Sequence, residues 1–206
     1  MSVYERINIE LSRIVKSARC AFAKRLAQRS AGKGEAMKLK VSPPLYLAGM
    51  KVSCWRCNLR MPVVALVAPH VAGKEGQVCV LSNIEEIPQE ILLFIQKRVP
   101  TFQLRSSLMG GSRYFANTCP SCHVIYGDSF LHSEPGAPFF PESNEAAKSL
   151  YLTEIQLSDP IEIQALPGIG VGELILSNGK RICGLRAGVG PRQVSGIGSD
   201  SADQAS

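Results

Sequence analysis

The sequence predicts an α+β fold, and three observations lead to it. Two matched C-x-x-C pairs, Cys54-Trp55-Arg56-Cys57 and Cys119-Pro120-Ser121-Cys122, punctuate the chain. Short β-branched runs bounded by Pro and Gly flank both pairs, which is strand chemistry. A helical period of apolar residues lies between the pairs and another precedes them, at the N-terminus.

The cysteines carry the most chemistry. Each pair presents two thiolates to one ion, and two pairs complete a tetrahedral sulfur shell, the donor set of a structural zinc site. Cys54, Cys57, Cys119 and Cys122 are therefore the candidate ligands, and Zn2+ the candidate cofactor. A redox dithiol is the competing reading of a C-x-x-C. Its usual setting is a β-α-β pattern, whereas Pro62 and a strand-like run follow Cys57. Unlinked buried thiols are the third reading. Asn58 follows the first pair and His123 the second. The residue after a metal-binding knuckle often needs positive φ, which Asn and His tolerate better than most residues, so His123 reads as a turn residue and not as a ligand. Sixty-one residues separate Cys57 from Cys119, so the intervening segment must fold and bring the halves together.

The elements follow in order. Residues 4–29 read as a helix whose stripe is Ile7, Leu11, Ile14, Val15, Ala18 and Phe22. Its cations Arg6, Arg13, Lys16, Arg19, Lys24 and Arg25 could neutralise nucleic-acid phosphates. The same helix could instead pack on the body, dock on a protein partner or a second copy, or lie on a membrane surface. Residues 30–36 are a linker, and 1–36 form the first unit. Lys38 to Val41 and Leu45 to Val52 are strands broken by Pro43-Pro44. Pro62 to Ala68 and Gln77 to Leu81 form a hairpin across the turn Gly73 to Gly76. Pro88 to Val99 is a helix, with Pro88 at its first position and Pro100 ending it. Thr101 to Ser107 and Ser112 to Asn117 form a second hairpin that delivers Cys119. Residues 37–150 make the main domain. Residues 151–187 are expected to form a short C-terminal unit: a strand over 150–157, a strand favoured over a helix for 158–166, and a helix from Glu173 to Ile182, with a hairpin at Asn178-Gly179 as its alternative. The Gly/Ser-rich residues 188–206 are expected to be disordered.

Composition sets the class. The chain has 206 residues, 45% of them hydrophobic, the share of a soluble globular protein. No run approaches the length of a membrane span, and the N-terminus lacks the features of a secretory signal. Seven cysteines, an odd number, suit a reducing compartment, the cytoplasm, better than a disulfide scaffold. Cys20, Cys79 and Cys183 read as small apolar fillers. The net charge of +6 is uneven: residues 1–40 carry +7 and the remainder −1. This asymmetry points to nucleic acid or a protein as partner classes.

Three further constellations bear on function. His132-Ser133-Glu134 near a cysteine pair invites comparison with zinc deaminases, but the order of the motif is reversed and its proline lies inside the pair. Asp128, His132 and Glu134 could serve as acid/base groups of an enzyme, against the plainer reading of a surface polar group. Leu166-Pro167-Gly168-Ile169-Gly170 matches the turn of a helix-hairpin-helix motif, whose N–H groups hold a DNA phosphate, against a simple glycine-rich turn.

The strand–knuckle–hairpin and hairpin–knuckle order resembles zinc-ribbon proteins. The run Tyr114-Phe115-Ala116-Asn117-Thr118-Cys119-Pro120-Ser121-Cys122, with Phe130-Leu131-His132 and Glu134-Pro135-Gly136 after it and Cys54-Trp55-Arg56-Cys57 before it, resembles a segment shared by poorly characterised bacterial proteins. That resemblance spans about residues 50–141 and implies a metal site in a bacterial cytoplasm. The expected architecture is thus a split zinc-ribbon-like domain with two β-hairpins and an inserted helix, preceded by a basic amphipathic helix. The expected function is a zinc-binding module with a structural metal, engaging nucleic acid through the N-terminal helix. The alternatives are a protein-interaction adaptor and an enzyme.

Overall fold

Alternation of apolar and polar residues, interrupted at Pro and Gly, makes this chain mostly strand. The computed structural model describes residues 35–106 and 112–182. The basic N-terminal segment with its six candidate cations, the C-terminal tail, Cys20 and Cys183 lie outside the described residues. In chain order the elements are β1 (Met37–Ser42), β2 (Leu45–Ser53), β3 (Arg60–Ala68), β4 (His70–Val71), β5 (Cys79–Glu86), α1 (Gln89–Gln96), β6 (Phe102–Ser106), β7 (Arg113–Thr118), β8 (Ile125–Tyr126), α2 (Asp128–His132), α3 (Asn144–Ala147), β9 (Tyr151–Ile155), β10 (Ile161–Gly168), α4 (Gly172–Asn178) and β11 (Lys180–Arg181). The fold is mixed α+β, dominated by strands.

Eight strands form one sheet in the order β11-β9-β2-β3-β5-β10-β1-β4, and β6-β7-β8 form a second. The large sheet curls. Its edge pair β4 continues β3 past Pro69 and bonds to β1 in the register Val41↔Val71. Because β3 also neighbours β5, β5 neighbours β10 and β10 neighbours β1, these strands close a ring. A register shift in β10 between Gln164 and Leu166 supplies a bend of the kind such closure uses.

Strand β3 is the centre. Its side chains alternate between two cores. Val64, Leu66 and Ala68 enter the core inside the curl, with Leu39, Val41, Ile163 and the α1 residues Ile91 and Ile95. Met61, Val63, Ala65 and Val67 enter the opposite core, with Leu131, Phe139, Leu150, Leu152, Ile175 and the buried Cys54 and Cys119. Burial on both faces explains why 61–68 reads as an unbroken apolar run. Cys79, at the start of β5, is fully buried in the inner core.

The structure corrects the expected domain boundaries. Residues 151–182 are not a unit of their own: β9 pairs with β2, and β10 pairs with β1 and β5. Periodicity identified these strands but carried no information about partners more than 100 residues away. Within the expected strand 158–166, the structure places strand from Ile161 onward, and β10 runs on to Gly168. Pro88 sits at the N-cap position, one residue earlier than expected. The glycine-rich turn after β10 does not continue a helix, as a helix-hairpin-helix requires. Gly170 in that turn takes a φ of 100°, and Gly172, the first residue of α4, is needed for close approach, because a Cβ there would strike the Val78 carbonyl oxygen and side chain. Among the described residues no helix is long and apolar enough to cross a membrane.

Candidate metal centre

Each C-x-x-C pair occupies the turn of an antiparallel strand pair. The first joins β2 to β3, whose last paired residues are Ser53 and Arg60. The second joins β7 to β8, whose pairing ends at Thr118 and Ile125. The two turns repeat one backbone pattern. The Cys54 N–H donates to the Leu59 carbonyl at 2.8 Å and the Asn58 N–H to the Cys54 carbonyl at 2.9 Å. In the second turn the Cys119 N–H donates to Val124 at 2.9 Å and the His123 N–H to Cys119 at 3.0 Å. Asn58 and His123 take the same position with φ of 63° and 56°, the left-handed region that Asn and His tolerate.

This geometry brings all four sulfurs together, within 4.8 Å of one another. The Cys54 and Cys122 Sγ atoms are 3.6 Å apart, as are those of Cys57 and Cys119. A tetrahedral ion with metal–sulfur bonds of about 2.3 Å separates its ligands by about 3.8 Å, so the cluster matches the size of a four-sulfur site and could hold a metal ion. Cys54 and Cys119, the first residues of their pairs, are 2% and 0% exposed, whereas Cys57 is exposed and Cys122 half-buried.

The surroundings act on Cys119 and Cys122 in opposite directions. Burial alone raises the Cys119 thiol, but N–H groups of Cys122 and Ser121 and the neighbouring thiols of Cys57 and Cys122 outweigh it and bring the pKa down. At Cys122 the Val124 N–H lowers the pKa, yet burial and the sulfurs of Cys57, Cys119 and Cys54 together push it up. Thiolates this close cannot all ionise without a cation among them, and a metal ion would supply that cation.

Two contacts hold the halves of the centre in register. Asn117, 1% exposed, lies two residues before Cys119. Its side-chain Oδ1 accepts from the Val64 N–H at 2.8 Å, and its Nδ2 donates to the Val64 carbonyl at 3.0 Å. Strand β5 pairs only with Leu66 to Ala68, so this amide takes the place of a strand at the edge of β3. Trp55, in the first turn, donates its Nε1–H to the Ile125 carbonyl just after the second, at 3.3 Å. Sequence reasoning did not single out Asn117. The available signal was an Asn inside a strand run, a residue type depleted in strands.

The remaining candidates are dispersed. Asp128 is buried, and its Oδ2 accepts from the Asn83 N–H at 2.6 Å. Burial pushes its pKa up to about 7, against the lowering effect of that hydrogen bond. His132 packs on Phe139 with ring centroids 5.2 Å apart, and burial holds its imidazole below the ordinary range. It lines a cleft of about 110 Å³ with Ser82, Ser133 and Phe140. Glu134 is exposed. Among the described residues no hydrogen bond or ion pair joins these three.

No protein family, curated protein or solved structure matches the chain.

Proposed function

We propose that Cys54, Cys57, Cys119 and Cys122 bind one structural Zn2+, and that the protein is a zinc-stabilised binding module. The observation that supports this reading is the repeat of one knuckle geometry in two turns 65 residues apart, with four thiols converging at tetrahedral spacing. On this reading the centre is a split zinc ribbon, its two hairpin turns supplied by distant segments. A four-thiolate shell leaves no position for water, so the metal's role is to join segments and not to activate a nucleophile. Binding energy at such a site counts toward folding, which suits a chain whose two sheets meet at this point. Thiolate ligands persist in a reducing compartment, so this reading takes the module as cytoplasmic.

Nucleic-acid engagement through the N-terminal cations remains the first candidate for a partner, carried by the charge asymmetry of residues 1–40. A protein adaptor held by the apolar stripe of the same segment is the alternative. Salt separates them: phosphate contacts weaken steeply with ionic strength, whereas apolar docking does not.

The test is elemental analysis of full-length protein purified from metal-replete medium. One zinc per chain is expected, lost on substitution of any of the four cysteines by Ser. Absence of stoichiometric metal, or stoichiometric iron in its place, overturns the assignment to zinc.

A further inference from the structure

We infer that the face around the first knuckle binds single-stranded nucleic acid, stacking a base on Trp55 and placing phosphates on Lys51, Arg56 and Arg60. The inference rests on the metal-site reading above, since the knuckle presents these residues.

Charge carries the first part of the argument. Residues 36–74 and 91–127 are the two stretches that build the knuckles and their strands. Together they hold ten Lys/Arg and not one Asp or Glu. The near-neutrality of the body therefore conceals a segregation, with its carboxylates in the other segments. The first carboxylate after the second knuckle, Asp128, is buried against the Asn83 N–H. Three of the ten, Lys51, Arg56 and Arg60, lie within three residues of Cys54 or Cys57, where they exceed the net charge of −2 that a zinc ion held by four thiolates would carry.

Placement carries the second part. In the β2–β3 register Lys51 faces Pro62 and Ser53 faces Arg60, so Lys51, Ser53 and Arg60 share one sheet face. Lys51, Arg56 and Arg60 are all exposed. Among the described residues the ion pair formed is Lys148–Glu145, so these three cations have no carboxylate partner there. Trp55 is next to Arg56 in the turn that joins the Lys51 strand to the Arg60 strand, and it is 57% exposed. Its one polar atom is tied to Ile125, which orders the ring without covering it. Leu59, in the same turn, is 43% exposed. An ordered, exposed aromatic ring among unpaired cations is the combination that single strands use, because bases stack on the ring while phosphates follow the charge. A duplex has no free base face to offer it.

Trp55 is the only tryptophan in the chain, so its fluorescence reports on this face and not on the basic N-terminal segment. The experiment titrates zinc-loaded, full-length protein with an oligo(dT) single strand, and with a duplex of equal length. The expected result is quenching of Trp55 by the single strand, with a log–log salt slope whose magnitude falls by about 1.4 when the two arginine contacts are removed by Arg56→Glu/Arg60→Glu. Arg56→Glu/Arg60→Glu should weaken binding by tenfold or more at unchanged zinc content. Trp55→Ala should weaken it by about fivefold to a hundredfold, read by anisotropy of a labelled oligonucleotide. Zinc retained with no quenching, equal quenching by duplex, or indifference to the Arg56/Arg60 reversal overturns this inference and leaves the metal site standing. A Trp55 signal that tracks protein concentration without oligonucleotide assigns the face to a second copy, which also overturns it. A chain without zinc removes the reading above and this inference with it.

Discussion

Replacing Asn117 by Ala tests how the two halves of the centre are brought together. The side chain is almost wholly buried and makes two hydrogen bonds to one backbone unit of β3. Truncation leaves the Val64 N–H and C=O without partners in a buried setting. Each orphaned group costs about 1–3 kcal/mol, so the expected loss is about 2–6 kcal/mol. That is a large share of a domain stability of about 5–15 kcal/mol. For a domain of this size it corresponds to a fall in Tm of about 4–24 °C. The amide also ties β7, which delivers Cys119, to β3, which leaves Cys57. Metal release to a chromophoric chelator should therefore quicken along with the loss of stability. Chemical denaturation of the metal-loaded protein measures the first quantity and stopped-flow chelation the second. Asn117→Asp keeps the shape but loses the donor to the Val64 carbonyl and buries a charge, so it should not rescue. A change below about 0.5 kcal/mol for Asn117→Ala refutes the reasoning, because it means water or β5 satisfies Val64 equally well.

Other outcomes follow from the same geometry. Cys119→Ser should abolish stoichiometric metal as completely as Cys57→Ser, despite their different exposure, because a tetrahedral shell needs every ligand; metal content per chain checks it. Asp128 makes stability depend on pH. Its pKa is about 3.8 in the unfolded chain and about 7 in the fold, so between those values the folded state holds the extra proton and stability falls as pH rises. The full effect is on the order of 4 kcal/mol. Asp128→Asn should flatten that part of the profile, and identical pH profiles for the two proteins would refute the assignment. Gly172→Ala should destabilise by about 1–3 kcal/mol, since its Cβ would strike the Val78 backbone and side chain. Denaturant midpoints give the answer, and a neutral result would mean that α4 shifts freely past Val78.

The features legible in the sequence are those written in neighbouring residues. The knuckles were visible because a C-x-x-C followed by Asn58 or His123 encodes a turn within a few residues, and both turns do take positive φ there. Strand β3 was visible in its β-branched run, and α1 in the spacing of Ile91 and Ile95. The segment 124–141 was less transparent. It yields the short helix α2, whose Asp128 and Leu131 are buried. Asp128 looked like a candidate acid because chemistry-bearing residues cluster there, yet the fold turns it inward to cap the Asn83 N–H. His132 and Glu134 share the segment, but no hydrogen bond links them to Asp128.

Local pattern thus specified the kinds of elements and the four thiols, since side-chain period, turn propensity and ligand type are properties of short windows. It could not specify that β10 would lie between β1 and β5, that β4 would close a ring, or that one amide would stand in for a missing strand. Those outcomes depend on which surfaces bury each other most completely and on which backbone groups are left over once they have. Such surpluses exist only after distant segments have met.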